Sequence, residues 1–324
     1  MKGSLHPKPR IAFVVGTFPA ISETFIINQV ADLLDRGFHV EIFTFQTGAR
    51  QFISSRHTAY RMSERTHGLQ PPASRWVRRL AAIPIVFRLL FSRPQCLIRV
   101  LKMIQSDRQA RPLEWLYGVM PFVGKQFDLV HCHFGDVAVR FLTIKDLLHL
   151  DIPLITTFYG YDASRLFTQA PPDFYARLKR EGDLFFVMSH SMKGRVLAEG
   201  FPEAKIKVLP VSINVDSYPF SERTCLPDKP VQLISVGRFV EKKGFNNLLR
   251  ALALVRQKSS RAFHCSLVGG GRLEEPLREL TTALGLNDVV DFKGQMKMED
   301  IIDLLLECHI MVQPSKTAAN GDRE

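Results

Sequence analysis

The feature that most constrains this chain is an alternation repeated from end to end: short apolar runs of strand length, each followed by a turn or a segment at helical spacing. Ile11–Val15 is an uninterrupted apolar run, and beyond a loop with Gly16 and Pro19 the spacing becomes Phe25, Ile26, Val30, Leu33 and Leu34, one face of a helix. Ser22 is placed to cap that helix with Glu23 in its first turn, Gly37 suits its C-terminal stop, and Val40–Phe45 supplies the next β-branched and aromatic strand. Strand, helix and strand in that order make a βαβ unit, which opens a parallel sheet.

The alternation returns with strands expected at Leu129–His133, Pro153–Phe158, Leu184–Met188 and Ile206–Leu209. Val215–Pro230, with mixed charges and prolines beyond Tyr218, has the composition of a linker. A second series follows, with strands at Val231–Val236, Phe263–Val268, Val289–Phe292 and Ile310–Gln313 and helices at Phe245–Lys258, Leu273–Leu284 and Met298–Cys308. The expected fold class is therefore α/β, two Rossmann-like domains facing across a cleft, with domain limits of 1–216 and 217–324. At 324 residues and 46% hydrophobic content the chain has enough apolar surface for two cores.

Charge is unevenly placed. Of the net +11, a net of +8 lies between Ser74 and Arg111, which holds nine Lys or Arg and one Asp. Trp76, Ile83, Ile85, Phe87, Leu89, Leu90, Phe91 and Leu97 stand among those arginines, a mixture that suits an anionic membrane surface. A charge-rich helix pair covering the sheet is the alternative, and nucleic acid is not an expected partner because no recognised fold or aromatic-basic platform accompanies the charge. No uninterrupted apolar run of about 18 residues is present. Cys96, Cys132, Cys225, Cys265 and Cys308 are odd in number and include no C-x-x-C pair, which argues for a reducing compartment and against a disulfide framework or zinc site. The expected location is cytoplasmic, peripheral on the inner face of the membrane.

Several catalytic motifs are missing: no G-x-G-x-x-G follows the first strand, and no P-loop, H-E-x-x-H, metal-binding D-x-D or nucleophile elbow occurs. What is present is Ser235–Phe245, in which a strand ends in Gly237-Arg238 and a loop delivers Lys243-Gly244 to a helix N-terminus. Backbone N–H groups and the positive dipole end point out of such a turn, and Arg238 with Lys243 can neutralise a diphosphate without a metal. In the first half, the strand Asp128–Gly135 closes on His131 and His133. Side chains alternate, so both imidazoles share a face at the end of the strand where open α/β sheets bind ligands. Internal packing of one of these histidines, His131 above all, is the competing reading. A zinc pair is disfavoured because Cys132, the one residue at ligand spacing, faces the other side.

These segments resemble glycosyltransferase family 4. The G-R and K-G pair is similar to the family's diphosphate loop, Leu267-Val-Gly-Gly-Gly271 to its glycine-rich turn beside the donor nucleotide, and Val290–Gly294 with Phe292 to its segment near the base. Gly321–Glu324 is similar to the start of the family's E-x7-E donor motif. Thr17-Phe-Pro19 with Ser22–Ile26 narrows the resemblance to bacterial exopolysaccharide enzymes of the colanic-acid and amylovoran type.

The resemblance implies a retaining transfer of a sugar from a nucleotide diphosphate sugar to a lipid-linked oligosaccharide, with no metal or other cofactor. It implies catalytic roles for His133, Arg238 and Lys243, and donor binding by Gly16, Gly269, Gly271, Phe292 and Glu324 beside the two cations. Ser22, Glu23, Tyr159 and Asp162 are the expected acceptor-cleft residues. Relatives often carry histidine where this chain has Tyr159, and that residue is either a cleft wall or a stacking platform for sugar. A related epimerase or phosphorylase, or a silent nucleotide-sugar-binding protein, are the alternative functions. The chain breaks off at the first glutamate of E-x7-E, with about 110 residues in its second half where about 150 is usual for a domain, so a truncated and weakly active product is expected.

Overall fold

The computed structural model describes residues 8–20, 23–48, 54–106, 113–213 and 215–323. Ser22, with its expected capping role, and Glu324 lie outside the described residues. Internal packing divides the chain between Val211 and Ser212 into two units.

The first unit is built on a parallel sheet of seven strands: β1 Arg10–Phe18, β2 His39–Thr47, β3 Thr66–Gly68, β4 Leu129–His133, β5 Leu154–Phe158, β6 Leu184–Val187 and β7 Ile206–Val208. Their order is β3-β2-β1-β4-β5-β6-β7. Alternation along β1 feeds two cores: Ala12 and Val14 join Phe43, Phe122 and Phe141 on one face, while Ile11, Phe13 and Val15 meet Ile26, Val30 and Ile42 on the other. The apolar run marks only the middle of β1. Gly16, expected in the loop, stays in the strand, because pairing with β2 continues through Thr17↔Gln46 and Phe18↔Thr47.

The first helix, Thr24–Asp35, begins one residue after Glu23, which occupies the cap position rather than the first turn. It ends as the sequence suggested. Gly37 sits at φ +77°, its N–H reaches the Leu34 carbonyl and the Phe38 N–H reaches that of Leu33, a pattern that closes the last turn and requires a left-handed residue. β3 has no apolar run to announce it; three polar or small residues are strand only because β2 offers them a free edge.

The second unit has β8 Val231–Val236, β9 Phe263–Val268, β10 Val290–Gly294 and β11 Ile310–Met311, all parallel, in the order β10-β9-β8-β11. The helix Phe245–Lys258 buries Phe245, Leu248, Leu249 and Leu252 against β9, the i, i+3, i+4, i+7 stripe that its sequence showed. β11 is shorter than its apolar run and forms the sheet edge, with Ile310 49% and Met311 50% exposed.

Candidate functional site

In both sheets the chain leaves the first strand toward one side and later returns to add a strand on the other. The reversal falls between β1 and β4 in the first unit and between β8 and β11 in the second. Loops at the carboxyl ends of such neighbours part and leave a crevice, the usual ligand position in open α/β sheets. His133 ends β4, and Gly237-Arg238 directly follows β8.

Alternation along β4 sends Cys132 into the core with Val14 and Ala138, while His131 and His133 stack on the other face with ring centroids 4.4 Å apart. Phe13 packs against both rings, at 5.1 and 4.7 Å. Neither ring is at the surface: His131 is 5% and His133 0% exposed. Thr157 Oγ1 lies 2.7 Å from His131 Nε2, and the Tyr159 hydroxyl lies 2.7 Å from His133 Nδ1. Burial pushes His131 down to about 4 and holds His133 well below the usual imidazole value, with the neighbouring His131 adding to the effect. Both rings are therefore neutral at pH 7. His133 Nε2 is buried with no hydrogen-bond partner among the described residues.

Tyr159 is half-buried between Phe25 (4.4 Å), Phe134 (4.9 Å) and the His133 ring, to which it is nearly parallel. Burial raises the phenol pKa, and the carboxylates of Asp162 and then Glu23 add to the effect. Glu23, His133 and Tyr159 thus come together at the carboxyl edge of β1, β4 and β5. Asp162 is near them but its carboxylate is taken up internally. It accepts from the N–H groups of Gly135 (2.9 Å), Gly160 (2.9 Å) and Tyr159 (3.1 Å), tying the loop after β4 to the loop after β5. Burial pushes this carboxyl up to about 6, against the pull of those amides.

The same junction stores backbone strain. Phe134, between His133 and the helix Gly135–Leu148, has φ +79°, a region that a bulky residue enters only when its surroundings impose it. Its N–H donates to the Thr157 carbonyl at 2.9 Å, and its ring packs on Tyr161. A Cβ at Gly135 would lie 2.4 Å from the Phe158 ring, so glycine is obligatory there. At Gly16, by contrast, a Cβ would meet only Val137 at 3.6 Å, and no protein atom demands glycine.

In the second unit, backbone meets backbone. A Cβ on Gly269 (φ +142°) would lie 1.9 Å from the Gly237 carbonyl oxygen, and one on Gly271 would lie 2.8 Å from that of Phe239. The Phe239 N–H donates to the Gly270 carbonyl and the Gly237 N–H to that of Val268, both at 2.9 Å. The glycine-rich turn therefore clamps the loop carrying Arg238. Gly269→Ala is expected to destabilise this unit by about 1–3 kcal/mol more than Gly285→Ala, because it adds overpacking against the Gly237 carbonyl at a φ of +142° open essentially to glycine alone, whereas Gly285 has φ +65° and no atom within 4 Å. Hydrogen exchange at residues 237–245 measures it; equal protection in the two variants would refute the clamp.

Arg238 is exposed, and the Lys243 stem lies against Gly237, about 3.4 Å from where a Cβ would stand. Gly244 (φ +67°) opens the helix Phe245–Lys258, its missing Cβ making room for the Pro314 carbonyl. The adjacent Lys242 turns the other way: it is buried and paired with Asp322 at 3.1 Å, while Glu241 accepts from the Ala319 N–H. This attachment of 241–243 to 314–323 was not legible in the sequence, since the partners stand 80 residues apart. Phe292 is packed against the core, 5.9 Å from Phe239 with Arg278 over its ring at 4.4 Å. Among the described residues no group of three or more His, Cys, Asp or Glu is gathered for a metal ion.

The pattern of glycosyltransferase family 4 matches residues 22–217, and that of glycosyl transferases group 1 matches residues 219–321. The chain belongs to glycosyltransferase family 4. This transferase is 30% identical over 321 residues to the Escherichia coli (strain K12) protein named as a colanic acid biosynthesis glycosyltransferase, WcaL, covering 97% of this chain and 77% of that one. It is 29% identical to the amylovoran biosynthesis glycosyltransferase AmsK of Erwinia amylovora, with the same coverage. Among solved structures, Anabaena Alr3699/HepE in complex with UDP and glucose superimposes with a TM-score of 0.63 at 19% identity, covering 96% of this chain and 75% of that one. The two Rossmann-like units give the transferase the GT-B fold. Nothing in the sequence marks Thr157 and Phe13 as the residues that hold the histidine pair, because a threonine or phenylalanine inside a strand carries no signal of its partner on the next strand.

Proposed function

We propose that this glycosyltransferase moves a sugar from a nucleotide diphosphate sugar to a lipid-linked oligosaccharide in exopolysaccharide biosynthesis, with retention at the anomeric carbon and without a metal. The observation that carries the reading is the loop after β8. An exposed Arg238, the Lys243 stem over Gly237 and the N-terminus of a 14-residue helix converge at a sheet reversal. Leaving-group charge on a diphosphate is the costly feature of such a transfer, and fixed cations with a helix dipole stabilise it. The complexes of HepE with UDP and UDP-glucose support the donor class, and the names of WcaL and AmsK support the pathway class. His133 orients the donor sugar, Glu324 holds its hydroxyls, and Ser22, Glu23 and Tyr159 serve the acceptor side. Asp162 positions the Tyr159 loop from within. Release of nucleoside diphosphate that requires a lipid acceptor supports this assignment; acceptor-independent release or sugar rearrangement points to an epimerase or phosphorylase instead.

The membrane is the proposed second partner, on the cytoplasmic face. Along the helix Arg75–Ser92 the side chains of Trp76, Leu80, Ile83, Phe87 and Leu90 recur every three or four residues and are all exposed, Trp76 at 75% and neighbouring Phe91 at 83%. Only Ala82 and Leu89 are buried, so the helix turns its larger apolar stripe outward. Arg75, Arg79 and Arg88 flank that stripe, whereas Arg78 is engaged with the Pro72 and Ala73 carbonyls. No helix among the described residues is long and apolar enough to cross a membrane. Changing Arg75, Arg79 or Arg88 singly to Gln is expected to weaken binding to anionic vesicles by about 1 kcal/mol each, and high salt should do the same. Vesicle sedimentation indifferent to both would remove the assignment.

A further inference from the structure

We propose that Tyr159 is a positioning residue that holds His133 with its ring proton on Nε2, so that the atom His133 offers to a ligand is a hydrogen-bond donor. The inference rests on the reading that His133 meets the donor sugar. The Tyr159 hydroxyl lies 2.7 Å from His133 Nδ1, and the Thr157 hydroxyl lies 2.7 Å from His131 Nε2. A phenol hydroxyl has one proton to give.

The Tyr159 phenol keeps its proton, because burial and the nearby carboxylates of Asp162 and Glu23 disfavour ionisation. Among the described residues the side-chain partner within hydrogen-bond distance of that hydroxyl is His133 Nδ1, at 2.7 Å, so the phenol proton goes there. Burial and the adjacent His131 keep the His133 ring neutral. A neutral imidazole whose Nδ1 accepts must be protonated on Nε2. The result is one directed contact, Tyr159 to His133 Nδ1, that leaves the N–H on Nε2.

That N–H is the buried atom with no partner among the described residues. A buried donor left unmade is a costly state that folded proteins rarely keep without a use. An oxygen of the donor sugar, a hydroxyl or the ring oxygen, is the chemistry that would satisfy it. In this state His133 binds and orients; it does not take a proton. Tyr159→Phe would keep the ring packing with Phe25 and Phe134 but remove the hydroxyl that fixes Nδ1.

The test is the nitrogen spectrum of the full chain labelled with 15N-histidine at pH 7.5, with His133→Gln used to assign the signals. His133 should show a protonated Nε2 and an unprotonated, hydrogen-bonded Nδ1. Tyr159→Phe should move Nδ1 toward the position of an unbonded ring nitrogen and mix the two tautomers. A proton on Nδ1 in the unmodified chain, or a His133 spectrum unchanged in Tyr159→Phe, overturns the proposal. If the variant fails to fold, the unmodified chain decides alone. Adding UDP-glucose or UDP tests the underlying reading separately: a shift of the Nε2 proton by the sugar nucleotide and not by UDP supports it, and identical responses sink it while leaving the tautomer to the ligand-free spectrum.

Discussion

Arg238→Ala is expected to weaken the binding of nucleoside diphosphates by about 1.5–3 kcal/mol, on the order of 10- to 100-fold, and to leave the corresponding nucleosides bound as before. The side chain is exposed beyond the end of β8 and supports no core, so its removal should subtract a charge-assisted contact and nothing else. Transfer should suffer more than binding, by about 10²–10³-fold, because charge on the diphosphate grows as the sugar leaves and a fixed cation is worth most at that moment. Lys243→Ala should act in the same direction. Calorimetry with UDP and GDP against uridine and guanosine decides between roles. An equal loss of nucleoside affinity would mean that Arg238 shapes the unit instead of holding phosphate.

The second large effect is on stability. The first unit should lose stability as pH falls from 6.5 to 4. His131 has a folded value of about 4 against an ordinary 6.5, so the folded state resists its protonation; the stability present above pH 6.5 is lost as pH falls toward 4, about 3 kcal/mol in all. His133 is depressed by the same causes and acts in the same direction. Asp162 opposes them. Its value is raised from 3.8 to about 6, so its ionised form burdens the fold at neutral pH and protonation relieves it, by about 3 kcal/mol between pH 6 and 3.8. Burial raises Asp136 as well, which acts with Asp162, whereas His57, His67 and Glu41, all lowered, act with His131 and His133, and the net slope is a loss. Both tryptophans, Trp76 and Trp115, lie in the first unit, so their fluorescence in urea reports on that unit alone. The dependence should flatten in His131→Asn. A midpoint that rises with acid would show that the buried histidines do not govern it.

How far the site was legible depended on whether its parts were local. The pair His131 and His133 on one face followed from β alternation and needed nothing else. The loop from Gly237 to Gly244 was legible for a similar reason, as strand, turn and helix start are contiguous. Asp162 was legible as a residue but not as a role. Its three amide partners come from Gly135, Tyr159 and Gly160, and only the pairing of β4 with β5 brings Gly135 to it. Lys242 and Lys243 are adjacent and chemically alike, and nothing local distinguishes the one tied to Asp322 from the one lying over Gly237.

The sequence by itself determined the α/β class, nearly every strand, the two series and the strand-turn-helix loop from Gly237 to Gly244, because periodicity, glycine placement and strand-to-helix turns act over a few residues. The tertiary structure alone decided which groups remain available. It enclosed His133 beneath Tyr159, turned the Asp162 carboxylate inward and added the polar strand β3 to a sheet edge. It also faced the stripe from Trp76 to Leu90 outward. The physical reason is that burial, and the hydrogen-bond partners it enforces, are properties of neighbours brought together from distant parts of the chain. Local spacing fixes only which side of an element a residue stands on.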